Sequence, residues 1–280
     1  MKRATIMFGL LAMLGACTAP LKDRPDPAKQ NVIDDAGLND LLLTAGDPEY
    51  SVNYFQNSLA KEPERADFRR GLAISLARAK RYPEAARVYE ELITLGQAEP
   101  ADQLGYAFVA IRLGRWEAAQ AVDRDLPPGL NTSRRHLLTA MVADNLSDWG
   151  VSDAAYARAE TLATNPADIL NNWGVSQMSR GDLERAEEIF EKSLSFNSRL
   201  FSAKNNLAIS RGLQGEYSLP LVPMTDVERA TILNNLGVIA TRRGDVRQAK
   251  GLFAAAVDIH PQHYEGAADR LAALDGKVEN

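Results

Sequence analysis

Cysteine is almost absent from this sequence, and its scarcity removes two classes of small stabilised domain. The single Cys17 has no partner for an internal disulfide and provides too few thiolates for a structural zinc site. The 13 Pro and 19 Gly among the 280 residues show no collagen-like or low-complexity bias. Since 45% of the residues are hydrophobic, the chain has enough apolar side chains for one large core or two ordinary domains.

Positive charge is also in deficit. The 32 Lys and Arg are outnumbered by 37 Asp and Glu, which gives a formal net charge of −5 at pH 7. This balance disfavours broad binding to phosphate backbones, so no nucleic-acid partner is expected. Beyond the N-terminal region, no stretch of the sequence approaches the roughly 20 consecutive apolar residues of a membrane-spanning helix.

The N-terminal residues are typical of an export signal. Lys2 and Arg3 precede an apolar run, residues 4–14, that is too short to span a bilayer. The run ends in Leu14-Gly15-Ala16-Cys17, which resembles the lipobox of bacterial lipoproteins. The resemblance implies that residues 1–16 are a signal peptide and that Cys17 is lipidated. The alternative is a simple secretory signal in which the cysteine is incidental.

The lipobox resemblance also implies a place in the cell. In such lipoproteins an Asp after the cysteine commonly causes retention in the inner membrane, and here Thr18 follows Cys17. The resemblance therefore implies the outer membrane, with the protein anchored by lipid on its periplasmic face. Residues 17–31 carry Pro20, Pro25 and Pro27 among charged side chains, which predicts a flexible tether.

Small and aromatic residues recur through the rest of the chain with a period near 34 residues. Two units are clear, residues 167–200 and 230–261, and Gly174 and Ala208 lie 34 residues apart. The residues expected to shape these repeats are small ones where helices approach, aromatic fillers and a closing proline: Gly174, Ala186, Phe190, Ala208, Gly237, Ala249, Phe253 and Pro261. Their spacing resembles that of the tetratricopeptide repeat, which implies two helices in each unit.

Weaker units complete the predicted architecture. They span residues 32–65, 66–99, 100–134, 135–166 and 201–229, and residues 262–280 predict a capping helix and tail. The prolines at 127 and 128 predict a short second helix in the third unit, whereas an extended segment over 218–225 replaces the second helix of the sixth. In the Arg-Gly-Asp turns at 180–182 and 243–245, Asp is positioned to cap the second helix. The sequence thus predicts an all-α tetratricopeptide-repeat helical solenoid.

A partner-binding surface is predicted on the concave face of this solenoid. In such repeats, fixed positions of the first helix commonly face the concave groove, and here they are apolar residues with asparagines among them: Asn171, Val175, Met178, Asn205, Ile209, Asn234, Val238 and Thr241. An Asn side chain both donates and accepts, so it suits the backbone of an extended peptide. The adjoining Asn172, Asn206 and Asn235 are expected more often to support the repeat itself.

The earlier units offer fewer groove candidates. Ile74, Leu104, Phe108 and Ile111 fall at similar positions and are either groove or core. No basic clamp for a peptide carboxylate is expected.

Catalytic motifs are missing from the sequence. There is no His-Glu-x-x-His, no Gly-x-Ser-x-Gly and no phosphate-binding Gly-rich loop. His260 and His263 flank Pro261, but two imidazoles without further ligands leave a metal site incomplete. We therefore expect no enzyme, no metal and no cofactor.

Several motifs, taken with the lipobox, resemble the TadD family of lipoproteins from the tight-adherence (Flp) pilus assembly machinery. They are Asn171-Asn172-Trp173-Gly174, Asn205-Asn206-Leu207-Ala208, Leu219-Pro220-Leu221-Val222-Pro223 and Asn234-Asn235-Leu236-Gly237. The resemblance implies a pilotin-like factor or scaffold that binds a secretin or other assembly components of a type II-like secretion apparatus. The alternative is a periplasmic adaptor for envelope maintenance that docks peptidoglycan hydrolases or outer-membrane assembly factors.

Overall fold

The computed structural model describes residues 37–262 and 264–275, and these residues form fourteen α-helices and no strand. In chain order the helices are α1 (Leu38–Thr44), α2 (Pro48–Lys61), α3 (Ala66–Arg78), α4 (Tyr82–Thr94), α5 (Pro100–Arg112), α6 (Trp116–Asp125), α7 (Ser133–Asn145), α8 (Trp149–Leu162), α9 (Ala167–Ser179), α10 (Leu183–Phe196), α11 (Phe201–Gln214), α12 (Asp226–Arg243), α13 (Val246–Ile259) and α14 (Glu265–Asp275). The signal peptide, Cys17 and the tether predicted at the N-terminus lie outside the described residues.

Short polar turns separate the helices and set where each one begins. Asp182 accepts a hydrogen bond from the Arg185 amide at 3.2 Å and so caps α10, as its place after Gly181 predicts. Gly181 and Gly244 both have a φ of +86°, a left-handed conformation that glycine adopts without strain. Because the connections are short, successive helices pack against each other as hairpins and form a stack.

Buried aromatic rings fill the space between helices. Phe55, Phe68, Tyr156, Phe190 and Phe253 are at most 1% exposed and lie among buried leucines and alanines. The core is therefore a series of linked apolar clusters along the stack, as expected of a solenoid in which each unit packs on its neighbours.

Two helices begin earlier than the predicted unit boundaries. Helix α7 begins at Ser133 rather than 135, because Thr132 accepts from the Arg135 amide at 3.2 Å. Helix α12 begins at Asp226 rather than 230, because Thr225 and Glu228 form a reciprocal capping box. At both places a local cap lies upstream of the repeat pattern and sets where the helix begins.

An extended segment, residues 215–225, connects α11 to α12; we call it the strap. The ammonium of Lys204, only 3% exposed, donates to the carbonyl of Pro223 at 2.7 Å and contacts Glu228 at 3.2 Å. At the other end the Tyr217 hydroxyl donates to Asp245. Asp245 was expected to cap α13, but its carboxylate binds the strap instead and makes no cap hydrogen bond.

Candidate functional site

The first helices of the N-terminal repeats are set close to their neighbours by glycine. A Cβ on Gly71 would lie 2.4 Å from the ring of Phe55 in the preceding helix, and one on Gly105 would lie 2.5 Å from the hydroxyl of Tyr89. Only glycine leaves room for these rings. Burial also raises the pKa of Tyr89 to about 12, so the phenol stays neutral at physiological pH.

These contacts leave a groove of about 440 Å³ on the side formed by α3, α5, α7 and α9. We call it the N-terminal groove. Its floor is apolar and half-buried, and its lining comprises Ile74, Ala77, Arg78, Tyr82, Tyr89, Gly105, Phe108, Val109, Ile111, Arg112, Arg134, Leu137, Met141 and Asn172. Ile74, Phe108 and Ile111 thus lie in a groove, whereas Leu104, at 4% exposed, lies in the core.

Three arginines give the N-terminal groove its charge. Arg78 donates to the carbonyls of Leu42 and Gly46, both at 2.7 Å, and is thereby fixed in place. The guanidinium of Arg134 lies 5.2 Å from the centroid of the Phe108 ring. Among the described residues Arg112 makes no hydrogen bond or ion pair, and no Asp or Glu lines the groove. The groove is therefore cationic as well as apolar.

These arginines were not among the predicted groove residues, and the expectation that a clamp for a peptide's terminal carboxylate is missing stays a prediction. Arg78 and Arg112 end equivalent helices and lie 34 residues apart, the period of the repeat itself. Phe108 and Arg112 are four residues apart on α5, which places both side chains on one helix face. Those two spacings were the signal that could have revealed the groove.

The predicted asparagines lie between neighbouring first helices of the C-terminal repeats. The Asn206 amide donates to the Asn171 carbonyl at 3.0 Å, and the Asn235 amide donates to the Asn205 carbonyl at 2.8 Å. Asn234 completes the series by accepting from Arg270 of α14 at 3.2 Å. We call these three contacts the amide ladder. It occupies the side-chain carbonyls that were predicted to accept from a peptide, and peptide binding by these residues stays a prediction.

Asn172 departs from this pattern. It occupies the same place in its unit as Asn206 and Asn235, yet its side chain makes no hydrogen bond among the described residues. It lines the N-terminal groove instead. The amide ladder therefore begins at Asn171 and does not extend through Asn172 to the preceding repeat, and the groove contains one amide without a hydrogen bond among the described residues.

The other predicted groove residues are spread over the C-terminal repeats. Val175 is 38% exposed, while Met178 and Ile209 are half-buried. Val238 and Thr241 line a separate cavity of about 280 Å³ between α12 and α14, together with Arg242 and Arg270. In the described structure, therefore, these predicted groove residues do not lie together in one groove.

The residues expected to shape the repeats are buried, with one exception. A Cβ on Gly174 would lie 2.5 Å from the Phe190 ring, and one on Gly237 would lie 2.6 Å from Phe253. The three alanines of this set, Ala186, Ala208 and Ala249, are 0% exposed. Pro261 is exposed and follows α13, which ends at Ile259.

We call α1–α8 the N-terminal half of the stack and α9–α14 the C-terminal half. Side-chain hydrogen bonds join the two halves between α8 and α9. The carboxylate of Asp153 accepts from Trp173 at 2.7 Å, from Gln177 at 2.9 Å and from Arg180 at 2.8 Å. Burial opposes ionisation, but the hydrogen bonds from Arg180 and Trp173 lower the pKa of Asp153 below its usual range. We call this set of contacts the junction.

The histidines and acidic residues form no metal centre in the described ranges. No group of three or more His, Cys, Asp or Glu is placed to hold an ion there. His260 is near the end of α13 and its Nδ1 lies 2.7 Å from the carbonyl of Gln262, and His263 lies outside the described residues. None of the described helices is both long and apolar enough to cross a membrane.

Comparisons with known proteins agree with this architecture. Models of the tetratricopeptide repeat match residues 40–100 and 229–264. A tetratricopeptide repeat protein from Parabacteroides merdae is similar over 87% of this chain and 97% of its own, with 14% identity and a TM-score of 0.56. The APC/C hetero-tetramer Cut9–Hcn1 is similar over 84% of this chain, with 16% identity and a TM-score of 0.57, and this chain spans 48% of the matched one.

No curated protein matches the sequence. At 14% and 16% identity, structural similarity shows the fold alone. In that fold helices pack in pairs, and buried glycines allow them to approach closely. The described residues form a tetratricopeptide-repeat solenoid, a fold that typically serves as a protein-interaction scaffold.

Proposed function

We propose that this chain is a non-enzymatic, lipid-anchored scaffold that binds segments of partner proteins during assembly of a tight-adherence pilus and its secretion machinery. The observation that carries the binding role is the N-terminal groove, whose volume of about 440 Å³ has an apolar floor. A cavity of that size accommodates several side chains of an extended peptide. The floor residues Ile74, Phe108 and Leu137 are only half-buried in the chain alone, so a bound segment would cover apolar surface there.

Support for a pilus role comes from the sequence. The asparagine motifs and the strap sequence Leu219 to Pro223 resemble the TadD family, and the lipobox at Cys17 resembles that of an outer-membrane lipoprotein. In this proposal the lipid on Cys17 holds the solenoid at the periplasmic face of the outer membrane. Two or more acyl chains give such an anchor its stability. A secretin or another component of the secretion apparatus is the proposed partner.

A photo-crosslinking experiment in the native host tests this proposal. A benzoylphenylalanine at Ile111 reports on the N-terminal groove and one at Val238 on the C-terminal repeats, while one at Gln56, exposed on α2, is the matched control. We expect adducts with a secretin or another pilus-assembly protein at Ile111, and none of these at Gln56. Adducts with peptidoglycan hydrolases or outer-membrane assembly factors would replace pilus assembly by the envelope-adaptor alternative. Equal labelling at Ile111 and Gln56 would contradict binding in the groove.

A further inference from the structure

The N-terminal groove concentrates positive charge on a chain that is acidic overall. Arg78, Arg112 and Arg134 all line it, no carboxylate does, and the whole sequence carries a formal charge of −5. Elsewhere on the described surface arginines commonly lie within 4.0 Å of Asp or Glu, as Arg81 does with Glu84. Arginines without carboxylate partners in one apolar groove form a patch of unbalanced charge that attracts anionic groups.

The three arginines are held differently, and the difference suggests what they bind. Arg78 is fixed by two backbone carbonyls, which satisfy its donors but leave its charge unneutralised. Arg134 is oriented by its contact with the Phe108 ring, and its N–H groups make no hydrogen bond to the described residues. Arg112 keeps its donors uncommitted within the described residues. Arg112 and Arg134 can therefore each donate a charge-assisted hydrogen bond to a carboxylate.

The apolar floor defines the rest of the ligand. Ile74, Ile111, Leu137 and Met141 contribute hydrocarbon rather than hydrogen bonds, so they favour aliphatic or aromatic side chains over a bare anion. Asn172 adds an amide that can pair with a peptide backbone. A small anion would leave this floor uncovered, whereas a peptide segment covers it.

The places of the two available arginines favour acidic side chains over a single terminal carboxylate. Arg112 ends α5 and Arg134 lies near the start of α7, and these helices pack against each other. Successive helices pack as hairpins, so α5 and α7 run in the same direction and the two arginines come from opposite ends of this helix pair. A segment with two acidic side chains can pair with both separated guanidiniums, whereas a chain terminus supplies only one carboxylate.

We infer that the N-terminal groove selects extended partner segments in which acidic side chains alternate with apolar ones, an inference that rests on the proposed scaffold function. The apolar side chains cover the floor between α3 and α7. The acidic side chains pair with Arg112 and Arg134, and Arg78 adds a fixed positive potential. The inference gives the proposed partner a chemistry that its binding segment must have.

Two labelled peptides test the inference with the whole chain. One is a fluorescein-labelled segment in which Leu and Glu alternate, and the other has Gln at every Glu position, so that shape and hydrocarbon are matched. Fluorescence anisotropy measures both affinities. We expect the Glu peptide to bind at least about tenfold more tightly than the Gln peptide at low salt, which corresponds to one charge-assisted contact. The preference is expected to shrink at high salt because the charges are partly exposed.

Charge-reversal variants locate the preference. Arg112→Glu combined with Arg134→Glu is expected to abolish the preference for the Glu peptide and to leave binding of the Gln peptide within about threefold. The matched control is Arg247→Glu, an exposed arginine on α13 that lines none of the cavities described above. It reverses one charge outside the groove, against two reversals within the groove in the double variant, and is expected to keep the preference. Circular dichroism and the urea midpoint check that each variant folds.

The possible results distinguish failure of this inference from failure of the proposed scaffold function. Equal affinity of wild-type chain for the two peptides would overturn the acidic preference while leaving the groove a peptide site. Loss of the preference in Arg247→Glu as well would overturn the assignment to Arg112 and Arg134. Crosslinks from Ile111 only to a second copy of the chain, or only to its own residues 1–36, would overturn a partner's segment as the occupant. Failure of both peptides, with no adduct at Ile111 in the host, would instead contradict the proposed function.

Discussion

The two halves of the stack use the same repeat position in different ways. At the sixth residue of its unit, the N-terminal half has Gly71 or Gly105, and the absent side chain makes room for the aromatic ring of the preceding unit. At the equivalent place the C-terminal half has Asn206 or Asn235, whose amide donates to an asparagine of the preceding first helix. The glycine contact leaves no room for a side chain at this position, whereas the asparagine contact is made by the side chain itself.

This difference accounts for where the groove lies. In the N-terminal half, neighbouring units meet through rings from the second helices and through the ion pair of Arg70 with Asp102, and the groove-lining side chains of Ile74, Phe108 and Ile111 stay available. In the C-terminal half the contact between first helices is made by side chains that were expected to face a ligand, and Asn171 and Asn234 are at most 9% exposed as a result. The residue at this one repeat position therefore distinguishes a groove that is open to a ligand from a surface whose side chains bind each other.

The largest expected effect comes from breaking an ion pair between N-terminal repeats. Asp102 is 2% exposed and accepts from Arg70 of the preceding unit at 2.8 Å and from the Glu99 amide at 2.9 Å. Asp102→Ala is expected to lower the free energy of unfolding by about 3 kcal/mol, because it removes both the buried end of this ion pair and the cap on the Glu99 amide, and leaves Arg70 with only the exposed carboxylate of Glu99 at 3.0 Å. Urea unfolding followed by circular dichroism measures the change.

The matched control for Asp102→Ala is Glu62→Ala, which removes the exposed partner of Arg65. Its expected cost is about 0.5 kcal/mol or less, since exposed ion pairs contribute little. Similar costs for the two variants would mean that burial of Asp102 does not decide how firmly the N-terminal units are joined.

The glycine contacts predict the next effect. Gly71→Ala would place its Cβ 2.4 Å from the Phe55 ring, which is 0% exposed and cannot move away without repacking. We expect a loss of about 2 kcal/mol, the usual cost of overpacking. In contrast, Gly251→Ala lies in α13 with nothing within 4 Å of the new atom, and it should stabilise the chain by about 0.5 kcal/mol through helix propensity.

A second substitution tests whether the ring is the cause. Phe55→Leu removes the atoms that the new methyl group contacts, so the Gly71→Ala and Phe55→Leu double variant should cost less than the sum of the single variants. Additive costs, measured from the same urea midpoints, would contradict the close-approach explanation.

Acid should weaken the junction between the halves before it affects the amide ladder. The pKa of Asp153 is lowered in the folded chain, so its contribution to stability is complete above its ordinary pKa near 4 and is lost as the pH falls through the lowered value. We expect Asp153→Asn to cost about 1 kcal/mol at pH 7, because a charged acceptor of hydrogen bonds from three residues is replaced by a neutral one. The difference between variant and wild type should narrow as the pH falls from 5 to 3. A difference independent of pH would contradict the electrostatic role.

The repeat period was sufficient to predict the all-helical solenoid, because small residues recur where helices approach and that requirement is local. Gly174 facing Phe190 follows directly from the spacing. The starts of α7 and α12 do not follow from the repeat period, since a cap such as Thr225 with Glu228 depends on two side chains rather than on periodicity.

The candidate site was less predictable for a physical reason. A side chain's position on a helix shows which face it lies on, but not whether the facing helix supplies a partner for it. Asn171 was predicted to meet a ligand, which stays a prediction, and its carbonyl accepts from Asn206. Arg112 was not among the predicted site residues, and it makes no hydrogen bond or ion pair within the described residues. Pairing across 30 to 35 residues decides the outcome, and it becomes visible only in three dimensions.

The smallest expected effect is the sharpest test of the comparison, because Asn172 and Asn206 share a repeat position and differ only in having a partner. Asn206→Ala leaves the Asn171 carbonyl, 9% exposed, without its donor and should cost about 1 kcal/mol. Asn172→Ala removes an amide that makes no such bond and should stay within about 0.5 kcal/mol of wild type.

A double-mutant cycle of Asn171→Ala with Asn206→Ala should give a coupling of at least about 0.5 kcal/mol. A coupling near zero would mean that the amide ladder is a geometric coincidence that does not hold neighbouring C-terminal repeats together. In that case the asparagine side chains would again be available to a ligand, as the sequence first suggested.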